Sequence, residues 1–192
     1  MKKIIIGVTG SIAAIKIPEL VRKLRKEKFR VSCVLTPSAV NFVTPLVLST
    51  LSGEEAVADL FAARTAHLPH LQSADEADLF LIAPASAATL ARCAQGLAED
   101  MVSLVYLATK APVLIAPAMH GTMWEHPATR KNVEILKERG AQFIGPEKGD
   151  LADGTAGPGR MSEVDDIIAA VKGAVVHSSH FKRLPPTRLK GR

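Results

Sequence analysis

Short runs of isoleucine, valine and leucine alternate along this chain with longer stretches whose apolar residues recur at helical spacing. The runs predict five β-strands, at residues 3–8, 30–35, 79–83, 113–116 and 142–144. Because these runs are apolar at consecutive rather than alternate positions, they are typical of strands buried on both faces. The alternation with helices predicts an α/β fold, a doubly wound parallel sheet with helices on both faces.

The stretches between the runs predict helices, at residues 12–27, 87–95, 101–109 and 127–139. A last helix follows Ser162, which suits the N-cap position, and carries Asp165 in its first turn. Residues 145–159 contain five glycines and two prolines, so they are interpreted as a loop or flap rather than as a regular element. Loops of this length are often functional.

The composition agrees with one folded domain. With 192 residues, 47% of them hydrophobic and 22% charged, the chain has the makeup of an ordinary globular domain. Its longest uncharged apolar stretch, 79–91, is shorter than the roughly 20 residues of a membrane helix and contains Pro84, so no membrane span is expected. Cys33 and Cys93 lack metal-ligand spacing, so neither disulfides nor a metal site is expected, and a reducing cytoplasm is the expected location.

The positive charge is confined to the C-terminal tail. The formal net charge is +5, but residues 172–192 hold six basic residues and no acidic one, which leaves 18 basic against 19 acidic residues before them. With a single Trp and a single Tyr, the chain shows no basic groove with stacking aromatics, so no nucleic-acid partner is expected. Residues 175–192 lack apolar periodicity and are interpreted as a linker after a domain at residues 1–174.

Ligands of open α/β sheets bind at the carboxyl ends of the strands, so the residues that follow each strand are the first to inspect. Residues 7–14 give a strand end, a tight turn at Gly10 and a helix start of small residues, whose backbone N–H groups could hold a phosphate. The segment is neither G-x-G-x-x-G nor a Walker loop. A plain glycine turn capped by Ser11 explains it equally well.

Two further strands are followed by hydroxyl-bearing helix starts. Thr36 and Ser38 come after the second strand, and Ser86 and Thr89 after the third. Taken singly, each pair is a helix cap, but three such starts along one sheet edge could together hold one phosphorylated cofactor. No acidic residue follows the second strand to bind a ribose hydroxyl, so a mononucleotide fits better than a dinucleotide.

The fourth strand is followed by residues 117–124, which hold His120, Met123 and the single Trp124. A Met-rich stretch is more often core filler than a cofactor wall, although this one lies at the ligand edge. His67 and His70 precede three acidic residues in a proline-containing segment, where a surface position is the default. Reasoning from the residues therefore reaches a phosphate- or mononucleotide-binding α/β domain and leaves its chemistry open.

Five motifs together resemble the homo-oligomeric flavin-containing cysteine decarboxylases. They are Gly10-Ser11-Ile12-Ala13-Ala14, His70 eight residues before Asp78, Pro84-Ala85-Ser86-Ala87, Pro117-Ala118-Met119-His120-Gly121-Thr122-Met123-Trp124 and Gly157-Pro158-Gly159-Arg160-Met161. The match extends from Lys3 to Lys172, in order and with matching spacing. Within the family, the chain most resembles the branch that acts in coenzyme A synthesis.

The resemblance implies a flavodoxin-like, Rossmann-type fold with FMN between the subunits of a homotrimer, in some members assembled further into a dodecamer. The residues that match the family's FMN-lining positions are Gly10, Ser11, Ile12, Thr36, Ser38, Ser86, Ala87, Ala88, Thr89 and Ala118. His70 matches the catalytic base, and His120 takes the position that holds the substrate carboxylate. Met123 is expected at the same substrate site.

The implied reaction converts 4′-phosphopantothenoylcysteine to 4′-phosphopantetheine. Oxidation at the carbon that bears sulfur gives a thioaldehyde, which can accept the electrons left by CO2, and re-reduction completes the cycle. The chain has His120 where many members have Asn, and Asp153 where well-known members have the Cys that protonates the intermediate. Either Asp153 or another group is therefore expected to supply that proton, or the reaction stops at the oxidised enethiol.

Two other functions remain open within the same resemblance. An oxidative peptidyl-cysteine decarboxylase stops at the enethiol, and a non-catalytic FMN-binding regulatory subunit releases no CO2. Residues 157–161 are more similar to the coenzyme A branch. Residues 189–192, after a proline-containing linker, resemble the approach to the phosphopantothenate-cysteine ligase domain of bifunctional enzymes, so a fused ligase is expected as a partner.

Overall fold

Five parallel strands form the central sheet in the order β2-β1-β3-β4-β5, in a computed structural model that describes residues 1–60 and 68–177. The strands are β1 (Lys3–Val8), β2 (Arg30–Leu35), β3 (Leu79–Ala85), β4 (Val113–Pro117) and β5 (Gln142–Phe143). All five coincide with the predicted apolar runs to within two residues. This strand order is that of flavodoxin-like sheets, so the predicted doubly wound fold is confirmed.

Eight helices surround the sheet or connect its strands within the described residues. They are α1 (Ile17–Lys26), α2 (Pro45–Ser52), α3 (Pro69–Glu76), α4 (Ala87–Gln95), α5 (Met101–Ala108), α6 (Gly121–Glu125), α7 (Pro127–Glu138) and α8 (Val164–His177). The predicted helix at 12–27 is divided into a 3-10 turn, Ile12–Lys16, and α1. The division falls beside Pro18, the second residue of α1, because proline has no N–H to continue the preceding turn.

The sheet separates two hydrophobic cores. Ile4, Ile6 and Val8 point to the core that holds the buried residues of α1 and α8. Ile5 points to the opposite core, with Phe80 of β3 and the buried residues of α4, α5 and α7. Side chains alternate between the faces of a strand, and both faces here are covered, so every position of β1 is buried.

The predicted loop at residues 145–159 proved wrong, because this segment forms an antiparallel hairpin of β6 (Glu147–Asp150) and β7 (Ala156–Arg160). Its main chain pairs Gly149 with Gly157, and the glycines carry no side chains that could show a two-residue period. The hairpin is attached to the sheet edge, because the Met119 N–H donates to the Gly159 carbonyl over 3.0 Å.

The last helix differs from its prediction at both ends. α8 begins at Val164, and the Ile167 N–H donates to the Glu163 carbonyl over 3.1 Å, so Ser162 lies one residue before the cap position and is buried. The helix continues past residue 174, the expected domain end, to His177. Residues 61–67, with His67, and residues 178–192 lie outside the described residues. None of the described helices is long and apolar enough to cross a membrane.

A buried lysine forms ion pairs at the amino-terminal ends of the strands, which is the edge of the sheet opposite the one where ligands bind. The Lys3 ammonium lies 2.6 Å from Glu54 and 2.5 Å from Glu76, and the Lys3 N–H donates to Asp78 over 2.7 Å. Partial burial opposes ionisation of Glu54, but hydrogen bonds from Lys3 and Arg30 outweigh it and lower its pKa. Hydrogen bonds from Lys3 and Gln72 lower the pKa of Glu76.

Replacing Lys3 with methionine is expected to lower the free energy of unfolding at pH 7 by about 1–3 kcal/mol, because two carboxylates lose a shared, buried donor. In the parent chain, the stabilisation by these carboxylates is complete above their unfolded pKa of 4.5 and is lost as pH falls through the lower folded values. Lys3→Met should therefore flatten the fall in stability below that pH. Urea unfolding followed by circular dichroism at pH 7, 4.5 and 3 measures both effects.

Lys2→Met is the matched control. Lys2 pairs with Asp78 at 2.8 Å, but its side chain is 53% exposed, so its loss should change stability by less than about 1 kcal/mol. Equal effects of the two substitutions would contradict a special role for the buried lysine.

Candidate active site

Thr9 connects the carboxyl ends of β1 and β3, where the strand order of the sheet reverses. Its hydroxyl donates to the Pro84 carbonyl over 2.6 Å and accepts from the Ser86 N–H over 2.9 Å. Ligands of this sheet type bind at such a reversal, because the loops from neighbouring strands part there. The sequence analysis did not single out Thr9, although a hydroxyl residue directly after a buried strand indicates a position at the ligand-binding edge of the sheet.

Two of the hydroxyl-bearing helix starts are caps. Ser11 accepts from the Ala13 N–H over 3.4 Å at the 3-10 turn, and Ser86 accepts from the Thr89 N–H over 3.3 Å at α4. Ser38 makes no capping hydrogen bond, and its hydroxyl lies 3.1 Å from that of Thr36. Serine caps leave other N–H groups of the first turn unpaired, and these could bind the phosphate of a mononucleotide.

Gly10 brings the first two of these turns into contact. A Cβ at Gly10 would overlap the Ser38 hydroxyl oxygen and lie 2.7 Å from the Ser38 Cβ, closer than real Cβ atoms approach. The turns after β1 and β2 therefore meet only because residue 10 has no side chain. This contact joins Gly10 to Ser38, and the hydroxyl of Ser38 in turn lies 3.1 Å from that of Thr36, so three of the residues expected to line FMN are adjacent.

Gly10→Ala is expected to lower the free energy of unfolding by about 1–3 kcal/mol, because the new methyl group forces the two turns apart. Combining it with Ser38→Gly should recover most of that loss, since the clash involves the Ser38 side chain rather than the backbone. Chemical denaturation of both single variants and the double variant gives the coupling energy. Additive effects would mean that the two turns do not press on each other.

A cavity of about 490 Å³ opens beside the turn after β1 and the segment after β4. The residues that line it are Ser11, Ile12, Ala13, Ile15, Lys16, Ala118, Met119, His120, Asp150, Leu151, Ala152, Asp153, Gly159, Arg160 and Met161. Its volume suits a small organic ligand. Five residues predicted for the site meet here, namely Ser11, Ile12, Ala118, His120 and Asp153.

His120 is held in a defined orientation at the start of α6. Its Nδ1 lies 2.8 Å from the Thr122 hydroxyl and accepts from the Thr122 N–H over 3.2 Å. A ring nitrogen that accepts carries no proton, so these bonds assign the proton of the neutral ring to Nε2. Nε2 lies 3.2 Å from Asp153 Oδ2.

Asp153 lies in the turn of the hairpin. Its Oδ1 accepts from the Thr155 hydroxyl over 2.7 Å and from the Thr155 N–H over 3.0 Å. These two hydrogen bonds, with a smaller contribution from the charge of His120, lower the pKa of Asp153. Asp153 is therefore a carboxylate at neutral pH. The expectation that it supplies a proton requires the protonated form, which these contacts disfavour.

Several predicted site residues do not line this cavity. His70 is half-buried in the first turn of α3, and Met123 is 48% exposed on α6. The lining also lacks the predicted residues of the turns after β1 and β2 and of the start of α4, namely Gly10, Thr36, Ser38, Ser86, Ala87, Ala88 and Thr89. The described chain thus gathers most of the predicted site into the cavity and the helix starts beside it, whereas His70 and Met123 belong to neither.

Sequence reasoning missed two cations that line the cavity. Lys16 pairs with Glu163 at 3.1 Å, and Arg160 lies 3.2 Å from both Glu163 and Glu147. Arg160 occurs in one of the five motifs, but its position there indicates no partner. Its Nε is buried, with no hydrogen-bond partner among the described residues.

The cysteines are remote from this chemistry. Cys33 and Cys93 are both buried, neither lines the cavity, and burial raises the pKa of each thiol to about 12. Thiols in this state are poor nucleophiles and metal ligands. Within residues 1–60 and 68–177, no group of three or more His, Cys, Asp or Glu side chains could hold a metal ion.

The chain is similar to the amino-terminal portion of longer proteins. It is 45% identical over 172 residues to the coenzyme A biosynthesis bifunctional protein CoaBC of Haemophilus influenzae, which covers 88% of this chain and 43% of that protein. For the CoaBC protein of Escherichia coli K12, the identity is 44% over 179 residues, with 93% and 43% covered. The chain therefore spans less than half the length of these curated relatives.

Solved structures share the fold over nearly the whole chain. The FMN-dependent cysteine decarboxylase SpaF has a TM-score of 0.82 at 28% identity, covering 93% of this chain and 98% of that one. A mutant PPC decarboxylase complexed with pantothenoylaminoethenethiol has a TM-score of 0.79 at 29% identity, covering 89% and 96%. The family model described as Flavoprotein matches residues 1–176. The chain therefore belongs to the Flavoprotein family.

Proposed function

We propose that this chain binds FMN and catalyses the decarboxylation of 4′-phosphopantothenoylcysteine to 4′-phosphopantetheine in coenzyme A biosynthesis. The observation that carries the proposal is the 45% identity, over 88% of the chain, to a bifunctional protein of coenzyme A biosynthesis. The similarity to a PPC decarboxylase with bound pantothenoylaminoethenethiol supports the same substrate class.

The residues at the sheet edge fit FMN. Gly10 leaves no side chain at the strand reversal, and the capped starts of the 3-10 turn and of α4 offer backbone N–H groups for a phosphate. The hydroxyls of Thr36 and Ser38 provide further polar partners. Bound FMN supplies a two-electron acceptor that oxidises the carbon bearing sulfur and later returns the same electrons.

The cavity residues provide the remaining requirements of the reaction. The Nε2–H of His120 is a donor for the substrate carboxylate. Ile12, Ala118 and Met161 give the walls an apolar surface, which excludes water and favours the loss of a charged carboxylate as CO2. The β6–β7 hairpin supplies one side of the cavity and covers the substrate.

The proposal includes a homotrimer, in which the neighbouring subunit supplies His70 and Met123. Both residues lie outside the cavity of their own chain. Exposed apolar side chains of the kind that interfaces bury flank the 3-10 turn at Ala39–Asn41, the start of α2 and the start of α3, namely Val40, Phe42, Leu46, Val47, Leu68 and Leu71. Sedimentation equilibrium of the purified protein tests this state, and further assembly into a dodecamer.

The proposal also includes a fused phosphopantothenate-cysteine ligase domain and a cytoplasmic location. The chain matches only 43% of the bifunctional relatives, and its basic residues 178–192 would lead into the remainder. Two buried cysteines without a disulfide are compatible with a reducing compartment.

One observation favours a second function, the oxidative decarboxylation of a peptidyl cysteine. Asp153 is ionised and no cysteine lines the cavity, so a reaction without a proton donor would stop at the enethiol. The structural similarity to the peptidyl-cysteine decarboxylase EpiD, with a TM-score of 0.77 at 25% identity, agrees with the substrate class of this alternative.

Anaerobic incubation of the purified protein with 4′-phosphopantothenoylcysteine distinguishes the two functions. The expected result is a product that has lost CO2 alone, identified by mass spectrometry, with oxidised flavin at the end. A product lighter by a further two hydrogens, with bleached flavin, would support the oxidative function. Protein that binds FMN but releases no CO2 would contradict both and indicate a regulatory subunit.

A further inference from the structure

His120 and Asp153 are in contact beside the cavity, and the proposed reaction still needs an acid that protonates the carbon left by CO2. The inference that follows rests on the proposed function. Loss of CO2 as a neutral gas from a carboxylate substrate leaves a carbon that must gain one proton in each turnover. Neither cysteine lines the cavity, and the contacts of Asp153 keep it ionised. The guanidinium of Arg160 does not release its protons, and the ammonium of Lys16 is paired with Glu163 over 3.1 Å.

The geometry around His120 supports proton transfer in both directions. Nε2 opens to the cavity, and the side chain is 42% exposed, so it can regain a proton from solvent. On the other side of the ring, the Thr122 hydroxyl lies 2.8 Å from Nδ1 and can accept a hydrogen bond from it when Nδ1 is protonated. The ring can therefore exist as an imidazolium with both N–H groups paired, one to Thr122 and one to Asp153.

Asp153 also marks where a carboxylate lies against this ring. Its Oδ2 is 3.2 Å from Nε2, which is hydrogen-bonding distance for an imidazole and a carboxylate. A substrate carboxylate that replaces the exposed Asp153 oxygen would bind at the same place. Once CO2 has left, the carbon that must be protonated lies one bond length from the position that this carboxylate held.

We propose that His120 is the acid that protonates this carbon, and that Asp153 is a positioning residue that holds the ring and its Nε2–H in place between turnovers. The new C–H bond takes its proton from Nε2 and its electron pair from the enethiolate double bond, and the C–S⁻ group becomes a thiocarbonyl. The ring that donates is the imidazolium, so the transfer leaves a neutral ring with its proton on Nδ1, facing the Thr122 hydroxyl. This ring returns to the resting tautomer when Nε2 regains a proton and Nδ1 releases one. Asp153 Oδ2 then receives the Nε2–H when solvent reprotonates the ring.

His120→Asn separates the two roles of the residue, because an amide can bind the substrate carboxylate but cannot protonate a carbon. In anaerobic single-turnover reactions, the variant should release CO2 and leave bleached flavin, with the enethiol as product. Formation of the saturated thiol should slow by about 10²–10⁴-fold. His126→Asn is the matched control, because His126 caps α7 through the same Nδ1 contact, with the Ala128 N–H at 3.1 Å, and does not line the cavity.

Asp153→Asn tests the positioning role with a readout that does not require turnover. The 15N ring signals of His120 in the purified parent protein should show a proton on Nε2 in the neutral ring and none on Nδ1. Asp153→Asn should change the Nε2–H signal and slow formation of the saturated thiol by at least about tenfold, without slowing CO2 release. Asp150→Asn, another carboxylate of the cavity wall, should leave the His120 signals unchanged.

The outcomes separate this inference from the function on which it rests. If the parent protein releases no CO2 from the substrate, the proposed function fails. If the parent forms the saturated thiol and His120→Asn forms it at the same rate, the function stands and His120 is not the acid. Ring signals that Asp153→Asn leaves unchanged would overturn the positioning role alone.

Discussion

Gly159→Ala is expected to detach the β6–β7 hairpin from the sheet edge and to open the cavity on one side. Gly159 has a backbone φ of +127°, which L residues rarely adopt. A Cβ there would overlap the Met119 carbonyl oxygen and lie 3.2 Å from the Met119 carbonyl carbon. Both obstacles involve backbone, which cannot turn away as a flexible side chain would, so the hairpin must move.

The expected cost is about 2–4 kcal/mol of unfolding free energy, because backbone strain and a displaced contact act together. The substrate KM should rise at least about tenfold, since Gly159, Arg160 and Met161 all line the cavity. Denaturant unfolding and steady-state kinetics measure the two effects. FMN content should change little, because Thr36, Ser38 and Ser86, which are predicted to line FMN, do not line the cavity that the hairpin bounds.

Gly157→Ala provides the matched control within the same strand. A Cβ at Gly157 would meet only the Leu151 side chain, at 3.9 Å, which is ordinary contact. This variant should bind substrate like the parent and lose less than about 1 kcal/mol of stability. Equal KM values for the Gly157 and Gly159 variants would show that the hairpin does not form the substrate site.

The sheet could be predicted from the sequence because burial on both faces leaves a strong signal. Each strand of a covered parallel sheet is a run of apolar residues, and β1 at Lys3–Val8 was predicted with its observed bounds. The same reasoning missed α2, whose apolar residues surround the helix instead of forming one stripe. Thr44 caps α2 directly before Pro45, and a threonine followed by proline is a sequence pattern that predicts the start of a helix.

The hairpin could not be predicted because its stability comes from main-chain hydrogen bonds. Glycine and proline occupy most of β7, and neither the turn residues nor a side-chain period distinguishes such a strand from a loop. The hydrogen bond between the hairpin and Met119 requires Gly159 to have a positive φ. The sequence alone does not show which of the glycines has this backbone conformation. Without the hairpin, the position of Asp153 is undetermined.

The site was therefore predictable in part. Residues that follow a parallel strand, such as Ser11 and Ser86, lie at the edge of the sheet where ligands bind, so their position can be predicted once the strands are recognised. The His120–Asp153 contact is of another kind, because it joins a helix cap to a hairpin turn that is distant in sequence. Because the contacts of Asp153 lower its pKa, we propose His120 as the acid and Asp153 as the residue that positions the histidine ring.

His70→Asn is expected to abolish turnover, with kcat lowered by about 10²–10⁴-fold. Under the proposed function, His70 acts as the base that removes the thiol proton before the carbon bearing sulfur is oxidised. The variant should keep its FMN, because His70 is not among the residues of the helix starts that would hold the cofactor. Gln72→Asn is the control on the same helix. The exposed Gln72 side chain donates to Glu76 over 2.9 Å, and the activity of this variant should match that of the parent.

Anaerobic mixing with substrate then distinguishes the step of His70, which precedes the loss of CO2, from the step of His120, which follows it. His70→Asn should leave the flavin oxidised and release no CO2, because the carbon bearing sulfur is not oxidised while the thiol stays protonated. His120→Asn should bleach the flavin and release CO2, because it fails only at the later protonation. If His70→Asn bleaches the flavin at the parent rate, His70 is not the base, and another group must deprotonate the thiol.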